Sequence, residues 1–191
     1  MNLFHKVVSM AKRLLLLTGQ PGVGKTTLLM KVVNALKHSG YSVGGMISRE
    51  VRERGVRVGF ELLDLNSGNR CWLAHVKQPD GPRIGKYRVN LRGFEKMGVS
   101  SIVEAVEKME VVVVDEVGPM ELFSEKFKEA VWKAVESGKL VVSVVHWKSS
   151  DRLVDEIKAR ADAEVFEVTL ENRQNLHEIV VKKAVEFLTK R

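Results

Sequence analysis

Apolar residues fall in two rhythms along this chain. Near-continuous apolar runs occupy residues 14–17, 111–114 and 140–145, the pattern of strands buried on both faces of a parallel sheet. Residues 42–48, 56–65, 71–76 and 164–169 read as further strands, with Asn66-Ser67-Gly68-Asn69 as a hairpin turn. Helical spacing fills the intervals. Leu28, Leu29, Val32, Val33 and Leu36 predict a helix over 26–38, ended by Gly40. Ser101 and Glu104 read as a capping box for a helix carrying Ile102, Val103, Val106 and Met109. Phe123, Phe127, Val131 and Ala134 predict a helix over 121–137, and two more follow at 151–159 and 172–190. Residues 77–93 read as an exposed loop around a short strand at 87–91.

Strand and helix therefore alternate, interrupted once by an antiparallel β insertion at about residues 49–92. Alternation of this kind predicts an α/β fold with a mostly parallel sheet flanked by helices. With 191 residues and no repeat or linker-like tract, the chain reads as one domain spanning 1–191. Residues 1–12 are ambiguous, and either Met1 or Met10 is the natural start.

Composition narrows the setting. Hydrophobic residues make up 45% and charged residues 29%, with no apolar run near the length of a membrane span and no convincing secretory signal. The single cysteine, Cys71, excludes an internal disulfide and a cysteine-only metal site. Both points indicate the cytoplasm. A formal charge of +7 suits an anionic ligand without saying which.

Chemistry enters at Gly19-Gln20-Pro21-Gly22-Val23-Gly24-Lys25-Thr26, a full match to the phosphate-binding P-loop, G-x-x-x-x-G-K-[ST], between an apolar strand and an amphipathic helix. Its glycines let successive N–H groups point into one concavity, and the helix start adds positive potential there. Lys25 would neutralise the β- and γ-phosphates of a nucleoside triphosphate, the Thr26 hydroxyl would ligate Mg²⁺, and Thr27 extends the contact. Asp115 and Glu116 end the strand at 111–114, at the sheet edge where open α/β folds bind ligands. Asp115 would hold Mg²⁺ directly or through water, and Glu116 would polarise the attacking water. His146, at the tip of the next strand, either senses the γ-phosphate, orients the water, or is a loop histidine with no such task. Arg160 and Arg173 are candidates to stabilise charge on the transferring phosphoryl group, with ordinary surface arginines as the plainer reading.

A resemblance adds to this. The Asp-Glu pair resembles the P-loop branch of RecA-like and AAA-like ATPases, in which a glutamate beside the magnesium aspartate activates water. Gly44-Gly45-Met46-Ile47-Ser48-Arg49-Glu50-Val51, Val58-Gly59-Phe60-Glu61-Leu62-Leu63-Asp64, Asp115-Glu116-Val117-Gly118-Pro119-Met120-Glu121-Leu122 and Val168-Thr169-Leu170-Glu171-Asn172-Arg173 resemble segments of one family. It is the small nucleoside-triphosphatase family of archaea and thermophilic bacteria, that of the vertebrate cancer-related nucleoside-triphosphatase. The resemblance covers residues 13–190. It implies a P-loop NTPase fold, slow Mg²⁺-dependent hydrolysis of ATP, GTP and other triphosphates, and nucleotide contacts at Gly19 to Thr26 and at Asp115, Glu116, Val117 and Gly118.

Two basic stretches stand outside these motifs. Arg49, Arg52, Arg54 and Arg57 interleave with Glu50 and Glu53 as a solvated hairpin face. Lys77, Arg83, Lys86, Arg88 and Arg92 line a segment that closes over the triphosphate, binds RNA, holds a second substrate, or is a plain loop. The nearby Trp72, Tyr87 and Phe94 match no RNA-binding module. Two rivals to hydrolysis stay open: a small-molecule or nucleotide kinase that uses 77–93 as its lid, and a nucleotide-dependent switch that binds RNA or a protein.

Overall fold

The computed structural model describes residues 12–148 and 151–190. The choice between Met1 and Met10 lies outside the described residues. β1 (Leu14–Thr18) runs through a glycine loop into α1 (Lys25–His38). β2 (Val43–Glu53), β3 (Val56–Asp64) and β4 (Arg70–His75) form a meander, followed by the short β5 (Arg83–Ile84) and β6 (Tyr87–Val89). A helix then runs from α2 (Leu91–Phe94) through a π-helical turn (Glu95–Val99) into α3 (Ser100–Lys108). β7 (Val111–Val117), a 3₁₀ turn (Glu121–Phe123), α4 (Glu125–Glu136), β8 (Leu140–Val145), α5 (Arg152–Lys158), β9 (Ala163–Glu167) and α6 (Leu176–Thr189) complete the chain.

Among the described residues the strands join in one sheet, ordered β5-β6-β4-β3-β2-β7-β8-β1-β9. β2, β7, β8, β1 and β9 are parallel to their neighbours in this half of the sheet. β3, β4, β6 and β5 continue it antiparallel. β2 belongs to both halves: residues from Val43 to Ile47 pair with β7, and those from Met46 onward pair with β3.

The apolar runs carry no polar alternation because both faces of the parallel strands are covered. Leu14, Leu16, Val112 and Val114 pack against Ile102 and Ala105 of α3 and Phe127 and Ala130 of α4. Leu15, Leu17, Val111 and Val113 face the other way, onto Leu28, Val32 and Leu36 of α1 and Val180 and Ala184 of α6. Burying one such side chain is worth about 1.5–3 kcal/mol, so a strand shifted by one residue would still find apolar cover. Hydrogen-bond register and close backbone contact must then set the alignment. Gly45 supplies one such contact: its φ is 114°, and a Cβ there would lie 2.0 Å from the Val113 carbonyl oxygen.

Several boundaries differ from the sequence reading. Ser101 does not cap a helix. It lies inside one, its hydroxyl donating to the Gly98 carbonyl at 2.8 Å, while Glu104 pairs with Lys108. The helix begins ten residues earlier, where the Asn90 side chain accepts from the Gly93 N–H. Likewise α4 starts at Glu125, capped by Ser124, and not at Glu121. Asn172 sits in a turn ahead of α6, its side-chain oxygen accepting from the Thr169 N–H at 2.9 Å. For the first two a side chain that bonds backbone locally sets the boundary, and apolar spacing does not reveal which of several such residues does so.

Candidate active site

Everything at the site hangs on the carboxyl ends of β1, β8 and β7. β8 lies between the other two, so the glycine loop after β1 and the acid pair at the end of β7 stand about 10 Å apart along the sheet. The chain leaves β1 toward β2 on one side and returns as β9 on the other, which opens a crevice at this edge.

The loop from Gly19 to Gly24 depends on backbone angles that L side chains rarely adopt. Gly24, the residue before α1, has a φ of 110°, and a Cβ on Gly19 would meet the Val168 carbonyl oxygen at 2.5 Å. Gln20, Pro21 and Gly22 are exposed on the outside of the loop, whereas Val23 is buried against Leu15 and Leu17. The Lys25 ammonium curls back to donate to the Gly19 carbonyl at 2.9 Å and the Gln20 carbonyl at 3.2 Å. No side chain caps α1 and no acid lies in its first turn, which leaves its N–H groups and positive end for an anion.

Asp115 is fully buried opposite Ile47 of β2. The Thr26 hydroxyl and the Ser48 backbone N–H face it, yet neither of its carboxylate oxygens completes a hydrogen bond. Burial pushes this carboxyl up to about 7; Thr26 pulls it back, Glu116 raises it, and Lys25 lowers it. A buried carboxylate left without partners beside a threonine hydroxyl suits a hard divalent cation, which takes oxygen ligands. The donor set therefore fits Mg²⁺.

Glu116 is partly exposed, at the point where the β7–β8 register breaks between Val114 and Val117. Its carboxylate folds back over Gly118, with Oε1 3.1 Å from where a Cβ on that glycine would sit. Val117 turns its side chain into the core, and its carbonyl accepts the His146 N–H at 3.1 Å. His146 thus stands at the tip of the central strand of the three. Its carbonyl accepts from Lys158, and its Nδ1 is buried with no partner.

The two arginines separate. Arg160 bonds Asp162 and Glu136, and the Asp162 carbonyl in turn accepts from the N–H groups of Arg13 and Leu14 at the start of β1. That is the opposite edge of the sheet, so Arg160 does not reach the phosphate loop; it is a structural ion pair. Arg173 does reach it, donating to the Val23 carbonyl at 3.3 Å. With Gly24, Thr27, Leu28, Lys31 and Gln174 it lines a hollow of about 140 Å³ on the outer side of α1.

Residues 77–93 are not a lid. They form the far edge of the sheet, with β6 six strands from β1, about 29 Å away along the sheet. Tyr87 and Phe94 are core residues there, Phe94 packing on Phe127. Arg57 packs over the Phe60 and Tyr87 rings and pairs with Glu50, so the hairpin charges are partly a structural clasp.

Reading the sequence for chemistry missed Glu121. It is 5% exposed beside the acid pair, and burial, together with the Glu116 and Asp115 charges, pushes its carboxyl up to about 8. The signals were its place in the segment from Asp115 to Leu122 that resembles the family, and an acid in the apolar company of Met120, Leu122 and Phe123, which also suits the first turn of a helix.

Comparison with known proteins agrees with this geometry. The profile of the NTPase family matches residues 14–181. Nucleoside-triphosphatase THEP1 of Thermofilum pendens is 46% identical over 168 residues, covering 87% of this chain and 92% of that protein. The same-named protein of Methanopyrus kandleri is 43% identical over 176 residues, covering 92% and 97%. The crystal structure of THEP1 from Aquifex aeolicus superposes with a TM-score of 0.76 at 30% identity, covering 88% of this chain and 97% of that one. The solution structure of a human cancer-related nucleoside triphosphatase gives the same TM-score at 38% identity, covering 89% and 96%. With the phosphate loop, the acid pair and the sheet edge all in place, the chain belongs to the NTPase family of P-loop nucleoside-triphosphatases.

Proposed function

We propose that this protein hydrolyses ATP, GTP and other nucleoside triphosphates to the diphosphate and phosphate, slowly, with Mg²⁺, in the cytoplasm. The observation that carries the reading is Asp115: a fully buried, unpartnered carboxylate facing Thr26 beneath a lysine-bearing phosphate loop, with Glu116 next in line. Thr26 and Asp115 would hold the ion, which when bound spreads charge across the β- and γ-phosphate oxygens. Loop amides from Gly19 to Lys25 and the α1 N–H groups grip the phosphates. On substrate arrival the Lys25 ammonium exchanges its two carbonyl partners for phosphate oxygens. Glu116 orients a water in line with the γ-phosphorus and accepts its proton as the new P–O bond forms and the bond to the β–γ bridging oxygen breaks. His146, at the strand tip between the two motifs, contacts the γ-phosphate or that water.

The nucleoside half extends over the hollow beside α1. Lys31, Arg173 and Gln174 there are long and flexible, over the aliphatic Leu28. Such a surface accepts any base, because it sets no fixed row of donors and acceptors against the base edge. The far-edge position of residues 77–93 supports hydrolysis over kinase chemistry, since that segment does not reach the site to exclude water from it.

The test is phosphate release from ATP, GTP, CTP and UTP with and without Mg²⁺. Wild type should use all four. Glu116→Gln should lose at least about 10²-fold in turnover while still binding nucleotide, and Lys25→Ala should lose both. Wild-type protein that binds triphosphates tightly yet releases no phosphate above background would overturn the reading.

A further inference from the structure

The mechanism above leaves one buried acid unused. Glu121 opens the 3₁₀ turn between β7 and α4, and its side chain points inward, toward the acid pair. The backbone N–H groups of Gly118 and of Glu121 itself face its carboxyl. Two backbone hydrogen bonds close the same turn: the Leu122 N–H donates to the Gly118 carbonyl, and the Ser124 N–H to the Glu121 carbonyl, both at 3.0 Å. Gly118 is the hub. The point where its Cβ would lie is 3.2 Å from Glu121 Oε2 and 3.1 Å from Glu116 Oε1, so the two carboxyls meet over one glycine.

We propose that Glu121 is a positioning residue for the reaction: by fastening the Gly118 backbone it fixes the surface on which the Glu116 carboxylate rests, and so aims Glu116 at the water. Gly118 is where such control is strongest, because the glycine offers no side chain to hold the turn and leaves the Glu116 carboxylate room to swing. Burial also suits the task. Burial raises the Glu121 carboxyl to about 8, so at neutral pH it stands beside Glu116 mostly uncharged and does not push it from its place. Misplacing a reacting group by about 1 Å costs on the order of 10²-fold in rate, so a support of this kind is visible in turnover.

This inference rests on Glu116 as the group that orients water, and the experiment keeps the two apart. Single-turnover and steady-state phosphate release would be compared for Glu121→Met, Glu121→Ala and Glu121→Gln, alone and combined with Glu116→Gln, alongside thermal unfolding and nucleotide binding. Glu121→Met fills the space without offering acceptors, which keeps the test available if Glu121→Ala destabilises the turn. The apolar variants should lower kcat about 10- to 100-fold with KM changed less than about 3-fold. Glu121→Gln, which keeps an acceptor, should restore kcat to within about 3-fold of wild type. In the Glu116→Gln background the Glu121 substitutions should cost less than about 2-fold more, because their route of action is already gone.

Three outcomes overturn the proposal: full kcat in a folded Glu121→Met protein, a Glu121→Gln loss as deep as that of Glu121→Met, or losses that multiply in the double variant. If Glu116→Gln alone runs at the wild-type rate, it is the assignment of Glu116 that fails. A slow Glu116→Gln beside a full-speed Glu121→Met removes only the positioning role.

Discussion

At the scale of single residues, Asp115 is a fully buried carboxyl that burial pushes well above its ordinary value. A buried carboxylate without hydrogen bonds destabilises the fold whenever it is ionised. Its ordinary value in the unfolded chain is near 3.8 and its folded value about 7, so between those pH values the folded state binds the extra proton. Stability from this group is therefore intact below about pH 4 and declines as pH rises toward 7, by a few kcal/mol at most. Glu121 acts in the same direction, up to about 8. Asp115→Asn should thus gain melting temperature on wild type progressively from pH 4.5 to pH 7.5 in Mg²⁺-free buffer, and lose the stabilisation that Mg²⁺ with nucleotide confers. Melting curves across that range check this; a gap between the two proteins that stays constant with pH would refute it.

At the scale of elements, single polar side chains set the starts of α2, α4 and α5. Ser124 is buried, with its hydroxyl accepting from the Phe127 N–H at 3.2 Å and donating to Glu95 at 2.9 Å. It thereby caps α4 and ties it to the π-helical turn ahead of α3, while Lys126 adds an exposed pair to the same glutamate. Ser124→Ala should lower unfolding free energy by about 1–2 kcal/mol, the upper range for a lost cap, because Glu95 also loses a donor. Urea titration would measure it, and a loss under about 0.3 kcal/mol would mean that water replaces both bonds.

At the scale of the whole molecule, segments about 150 residues apart meet at the phosphate loop. The turn after β9 presses the Val168 carbonyl against Gly19, and 150 residues separate Arg173 from its bond partner Val23. The loop is therefore gripped on one side by its own strand and on the other by the C-terminal segment. Arg173→Ala should raise KM for ATP and GTP alike by about 3- to 10-fold, with kcat within about 2-fold, as loss of nucleoside contact predicts. Inorganic tripolyphosphate, which has no nucleoside, should be hydrolysed with an unchanged KM. A fall in kcat on tripolyphosphate would instead return Arg173 to the role of stabilising phosphoryl charge.

What the sequence by itself determined is what short stretches of chain decide. The phosphate loop is eight residues whose glycines set their own backbone angles, and the apolar runs declare doubly covered strands without reference to partners. Asp115 and Glu116 are likewise placed by counting from the end of the apolar run at 111–114, although the strand itself continues to Val117. What only the tertiary structure decided depends on which strand lies beside which. Arg160 and Arg173 look alike in sequence, yet the parallel crossovers send one to the amino edge of β1 and the other to its carboxyl edge. Residues 77–93 carry enough charge to cover a triphosphate, but pairing through β4 carries them to the far edge of the sheet. Glu121 reads as a helix start until the turn around Gly118 folds it inward. Local angles and burial patterns are written in neighbouring residues, whereas strand order and inward folding arise from contacts between residues far apart in the chain, which no short stretch contains.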